Sequence, residues 1–126
     1  MATELLIDVS SADPNDPTVK VVRFTGSLDA TNLEQAEAVV DEQLLPGTVK
    51  KLVFDFSALE YLNSRAVGFL VSLSQKAAAA HAVLILAGLK PNVEDIITIV
   101  GLNQIIPVVK SVEEAKYVGE DGRLPG

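Results

Sequence analysis

Residues 82–87, Ala82-Val83-Leu84-Ile85-Leu86-Ala87, form an apolar run with no charged or hydrogen-bonding side chain. A strand of this kind can face water on neither side, so its sheet needs cover on both faces. Just upstream, Ala66, Phe69, Leu70, Leu73, Ala77 and Ala80 recur at helical spacing and make one apolar stripe, on a helix from about Ser64 to Ala80. Arg65, Gly68, Ser72 and Lys76 lie off that stripe. A helix with one apolar face beside a strand with two requires a layered α/β domain. At 126 residues the chain is short enough for one core, so a single domain over 1–118 is expected.

The remaining elements follow from pattern and punctuation. Leu5–Val9 and Thr18–Phe24 read as two strands joined by a turn, because Ser10–Pro17 is rich in Ser, Asp, Asn and Pro. Thr31 or Asn32 can cap a helix carrying Leu33, Ala36, Val40 and Leu44, which Pro46-Gly47 ends. Lys51–Phe56 is a compact apolar strand. Pro91 opens a third helix, with Val93, Ile96, Ile97 and Val100 facing inward and Gly101 closing it. Ile105–Val109 is a strand placed at an edge, since Pro107 cannot donate a ladder bond. Ser111 and Glu114 form a capping box for a last helix, Val112 to about Val118, and Gly119–Gly126 reads as a frayed tail. The order is ββαβαβαβα: an open, mostly parallel β-sheet with an N-terminal antiparallel strand pair and about four helices.

Composition removes whole classes of chemistry. There is no Cys, which excludes disulfides, thiol nucleophiles and zinc fingers, and the single His81 leaves no basis for a Ser–His–Asp triad or a multi-His metal site. Ten basic against 17 acidic residues give a net charge of −7, which repels nucleic acid and anionic lipid. Residues 1–8 lack the basic start of a signal peptide, and no apolar run approaches the ~20 residues that span a bilayer, so a cytoplasmic protein with no membrane insertion is expected.

In open α/β sheets, function gathers where the carboxyl ends of strands meet helix N-termini. Two loops are expected there, Gly26-Ser27-Leu28-Asp29 and the longer Ser57–Ser64. The second delivers Asn63 and Ser64 to the start of the long helix, where free N–H groups and the helix dipole favour an anion by about 0.3–1 kcal/mol. A phosphate on Ser64 would find donors facing it. The plain alternative is an N-cap and nothing more, and it stays open. Asp29 and Asp55 are a conceivable acidic pair, although carboxylates at strand ends more often accept turn or cap bonds. No glycine motif that cradles phosphate is present, and neither a metal nor a cofactor is expected.

Residues 52–70, from Leu52-Val53-Phe54-Asp55-Phe56-Ser57 through Asn63-Ser64-Arg65-Ala66-Val67-Gly68-Phe69-Leu70, resemble the signature of STAS domains, the family of bacterial anti-sigma factor antagonists. That signature has an apolar strand, Asp-Leu-Ser, an aromatic or Ile pair, then Asp-Ser-Ser-Gly-Leu-Gly and a helix. Gly26-Ser27-Leu28-Asp29 is similar to the family's Gly-x-Leu-Asp turn, and Gly101-Leu102-Asn103 followed by Ile105–Val108 and Ser111–Ala115 is similar to its C-terminal pattern. The resemblance runs from about Leu5 to Val118. It implies a non-enzymatic binding module whose partner is an anti-sigma factor that is also a serine kinase. In that scheme phosphorylation of a serine at the start of the second helix breaks the complex, and a serine phosphatase restores it.

The match departs from the signature at the switch itself. Arg65 stands where most antagonists carry the phosphorylated second Ser, Asn63 replaces the acidic residue and Ala66 the first Gly. Related stressosome scaffold domains are phosphorylated directly after the Asp, a position held here by Ser64. The switch therefore either survives one residue earlier, with Ser64 as the phosphorylation site, or is gone, and the resemblance implies a partner surface of Asp29, Asn63, Ser64, Arg65 and Gly68. An alternative within the same family is an unphosphorylated STAS subunit of a membrane transporter, such as a lipid-transport ATPase complex. A small α/β hydrolase or nucleotide-binding enzyme would have only carboxylates as general bases.

Overall fold

The computed structural model describes residues 5–119. Its elements are β1 (Leu5–Ser11), β2 (Val19–Leu28), α1 (Leu33–Leu44), β3 (Lys51–Leu62), α2 (Ser64–Ala79), β4 (Val83–Ala87), α3 (Pro91–Ile99), β5 (Val108–Val109) and α4 (Val112–Ala115), with a 3-10 turn at Leu102–Gln104. The order is the ββαβαβαβα read from the sequence. The five strands lie side by side in chain order, with β1 antiparallel to β2 and every other neighbour parallel. The tail expected beyond Gly119 lies outside the described residues.

That order has a consequence for layering. When each parallel strand adds to the same side of its predecessor through crossovers of one hand, all the crossover helices fall on one face. The main core bears this out: Ala36, Val40 and Leu44 of α1, Ala66, Leu70, Leu73 and Ala77 of α2, and Val93 and Ile97 of α3 share one cluster with Val22, Phe24, Leu52, Phe54, Phe56, Leu84 and Leu86 of the sheet. Three rings anchor it, with Phe24 centred 4.7 Å from Phe54 and 5.4 Å from Phe56. The opposite face carries a smaller core, where Val19, Val21, Val53, Ile85, Ala87 and Val109 meet Ala115 and Val118. β4 is thus covered on both sides, as its uncharged sequence requires.

Several boundaries differ from the sequence reading, each for a local reason. Gly26–Leu28 and Ser57–Leu62 are not loops. They extend β2 and β3, with Thr25 opposite Ala58, Gly26 opposite Leu59 and Leu28 opposite Leu62, and the register shifts twice along the way. Each shift places an extra residue in β3, so strict alternation breaks while Leu59 and Leu62 still reach the core. β5 shrinks to two residues, because the amides of Ile105 and Ile106 both donate to the Leu102 carbonyl in the preceding turn. Its edge position stands, and Pro107 contributes only its carbonyl, to the Leu86 amide at 2.9 Å. Val100 lies past the last turn of α3 and is exposed rather than inward-facing. α4 is a single turn, capped by the Ser111 hydroxyl on the Glu114 amide at 3.2 Å.

Candidate functional site

The extended β2 and β3 carry their ends to one place. Leu28 pairs with Leu62, and the Asn63 amide continues the ladder by donating to the Leu28 carbonyl at 3.3 Å. Asp29 and Asn63 therefore follow neighbouring strand ends, and α2 starts at the next residue. Asn63 has an extended backbone, and its side-chain oxygen accepts from the Ala66 amide at 2.9 Å, so the expected cap is present. Its own carbonyl takes the Val67 amide at 3.2 Å. The amides of Ser64 and Arg65 have no partner among the described residues, and both side chains are exposed. The geometry offers two N–H donors at the positive end of a 16-residue helix, with a serine hydroxyl and a guanidinium beside them.

Asp29 is held by its own turn. Its Oδ1 accepts from the Thr31 amide at 2.9 Å and from the Thr31 hydroxyl. Asn32 underlies this turn. It is the one polar side chain buried among the described residues, at 6% exposure. It sits at the cap position of α1 but makes no capping bond. Instead it points backwards, accepting from the Asp29 amide at 3.0 Å and donating to the Ser27 carbonyl at 2.8 Å. Reading Asn32 as a cap candidate missed this support for Asp29, because spacing alone does not show which way an Asn side chain turns.

Gly68 lies one turn into α2 on the outer face, and a Cβ placed there meets nothing within 4 Å. Tyr61, the last exposed residue of β3, is half-exposed beside the same end. On the other flank, the Lys90 ammonium pairs with Glu60 at 3.2 Å and Asn92 donates to the Glu60 carbonyl at 2.7 Å, which ties the start of α3 to β3. Asp29, Asn63, Ser64 and Arg65 thus lie at the same end of neighbouring strands, with Gly68 one turn further along α2. Asp55 does not join them. It lies opposite Arg23 within the sheet, where its Oδ1 accepts the Ser57 amide at 3.0 Å, so the conceivable pair with Asp29 is not formed. Among the described residues, no group of three or more His, Cys, Asp or Glu side chains is placed to hold a metal, and no helix is long and apolar enough to cross a membrane. His81 sits exposed in the α2–β4 turn with a left-handed backbone.

Comparison with known proteins fits this architecture. The profile of the STAS domain matches residues 11–115. BtrV of Bordetella bronchiseptica, named as an anti-sigma factor antagonist, is 30% identical over 90 residues, covering 71% of this chain and 77% of BtrV. An anti-sigma factor antagonist from Mycobacterium paratuberculosis superposes with a TM-score of 0.73 at 21% identity, over 91% of this chain and 92% of that one. SpoIIAA, a Bacillus cell fate determinant, superposes in its unphosphorylated form with a TM-score of 0.72 at 22% identity, over 88% and 93%. The profile match over most of the residues, together with superposition on anti-sigma factor antagonist structures, places this chain in the STAS domain family.

Proposed function

We propose that the chain is an anti-sigma factor antagonist that works by docking, and that its recognition surface is the entrance to α2. The observation that carries this is the convergence of Asp29, Asn63, Ser64 and Arg65 at neighbouring strand ends, with the polar side chains outward and the apolar ones committed to the core. The winding of the sheet supports surface binding over catalysis. Its strands add in one direction only, so the parallel part has no point where helices diverge to opposite faces and open a crevice. The partner is an anti-sigma factor with serine-kinase activity in the cytoplasm, and a serine phosphatase reverses the switch.

Ser64 is the phosphate acceptor in this reading. A phosphoserine there adds −1.5 to −2 charges next to two unpaired amides and Arg65, which the helix end tolerates. A partner carboxylate or apolar patch apposed to the same spot does not tolerate it, so association is lost while the fold persists.

The test combines titration calorimetry against the anti-sigma factors of the host cell with incubation of chain, partner and ATP followed by mass spectrometry. Binding by wild type, and phosphate on the Ser64 peptide that is absent from Ser64→Ala, is the expected result. Failure to bind any of those anti-sigma factors, or stable co-purification with a transporter ATPase instead, overturns it.

A further inference from the structure

We propose that Tyr61 is the aromatic anchor of the docking surface at the α2 entrance, the side chain that seats in an apolar recess of the anti-sigma factor. This rests on the function proposed above, and it adds a side chain outside the set Asp29, Asn63, Ser64, Arg65 and Gly68.

Strand periodicity alone sends Tyr61 into the core. Along β3 the residues that reach the main core are Leu52, Phe54, Phe56, Leu59 and Leu62, at spacings of two, two, three and three. Regular alternation past Leu59 turns residue 61 inward and residue 62 outward. The second register shift reverses this: Leu59 lies opposite Gly26 and Tyr61 opposite Ser27, so Glu60 has no opposite residue on β2. One extra residue exchanges the two side chains. Leu62 is fully buried, and Tyr61 is 50% exposed at the end of the strand. Bulges beside functional sites re-aim a side chain in this way.

The bulge is fastened. The Glu60 carbonyl accepts from the Asn92 side chain at 2.7 Å, and the Glu60 carboxylate pairs with Lys90 at 3.2 Å. On the other side of Tyr61, the Asn63 amide donates to the Leu28 carbonyl and the Asn63 side chain caps α2. The backbone of Tyr61 is thus held from both directions, three residues before Ser64, while its polar and aromatic groups are left unpaired. Phe24, Phe54 and Phe56 pack ring near ring, but Tyr61 makes no ring contact and its hydroxyl no hydrogen bond among the described residues. A tyrosine on a fixed backbone has only its side-chain torsions left to order, and it offers a large apolar area for that small entropy loss. Rigid aromatic side chains of this kind carry a disproportionate share of binding energy once a partner desolvates them.

The chain has two tyrosines and no tryptophan, so labelling the full chain with meta-fluorotyrosine gives two fluorine signals, assigned through Tyr61→Phe. Tyr117 follows α4, beside Val118 in the smaller core with Val19 and Val21 at the start of β2, and is the internal control. The labelled chain is titrated with the anti-sigma factor that wild type binds, and calorimetry compares wild type with Tyr61→Thr, Tyr61→Phe and Arg65→Glu. The Tyr61 signal is expected to move on complex formation while the Tyr117 signal stays. Affinity is expected to fall at least about tenfold in Tyr61→Thr and less than about threefold in Tyr61→Phe, which keeps the ring. Threonine retains strand propensity, and an unchanged urea midpoint verifies the fold. The fluorine signal of the unsubstituted chain decides the matter even where Tyr61→Thr perturbs the strand. A Tyr61 signal unmoved at saturation, or Tyr61→Thr folded and binding within about twofold of wild type, overturns the proposal. If Arg65→Glu weakens binding in that same experiment, the docking reading survives; if wild type binds no anti-sigma factor, both fall.

Discussion

Two residues on the α2 side of the molecule separate stability from recognition. Gly68 is exposed in the interior of α2, and a Cβ there meets open space. Glycine costs a helix roughly 0.5–1 kcal/mol relative to alanine. Gly68→Ala is therefore expected to raise stability by about that amount in denaturant unfolding, and to weaken partner binding if the partner lies flat on this turn. Asn32 behaves oppositely. Replacing it by Ala removes its part-buried hydrogen bonds to the Asp29 amide and the Ser27 carbonyl, at a cost of about 1–3 kcal/mol. A loss below a few tenths would mean water replaces both bonds. The Asn63 cap was legible in sequence because the residue stands directly before a helical stripe. The role of Asn32 was not, because it bonds to residues that precede it.

Among the elements, β3 shows where periodicity stops informing. Leu52, Phe54 and Phe56 alternate inward as a strand should, but the two register shifts then add residues, and Ser57 and Glu60 look like loop. α1 and α2 were clearer, since their apolar stripes continue for three or four turns. What joins them was invisible: α1 and α2 are clamped by the Lys76 ammonium, 2.7 Å from Asp41 and 3.3 Å from Glu37. The Asp41 hydrogen bond, with help from Glu37, raises the Lys76 pKa above its ordinary value. A group whose pKa is higher folded than unfolded adds stability that is whole below the unfolded value and disappears as pH climbs through the folded one. Stability is thus expected to decline in alkali more steeply in wild type than in Lys76→Met, followed by urea midpoints across that range. At the other pH extreme, the Thr18 hydroxyl and amide hold the Asp16 carboxyl below the usual carboxylate range. Its contribution is whole above the unfolded value and is lost as pH falls through the folded one, so Asp16→Asn is expected to flatten the acid limb.

For the whole molecule, the division of labour between core and surface decides what a charge change at α2 can do. Leu28, Leu62 and Ala66 are fully buried around the site, and Asn63 caps the helix from within it, so the scaffold does not depend on Ser64. Ser64→Glu adds one negative charge at a helix N-terminus, where the dipole favours it. Its effect on unfolding free energy is accordingly expected to stay within about 0.5 kcal/mol, as for surface substitutions generally. Full phosphorylation takes the net charge from −7 to about −9 and concentrates the change on the proposed interface. Loss of affinity for the anti-sigma factor by tenfold to a hundredfold, about 1.4–2.8 kcal/mol, is the expected consequence. Arg65→Glu should act in the same direction without touching the acceptor hydroxyl, which isolates charge from chemistry. If both variants bind like wild type while remaining folded, recognition lies elsewhere on the sheet, and Asn63 is a cap and nothing more.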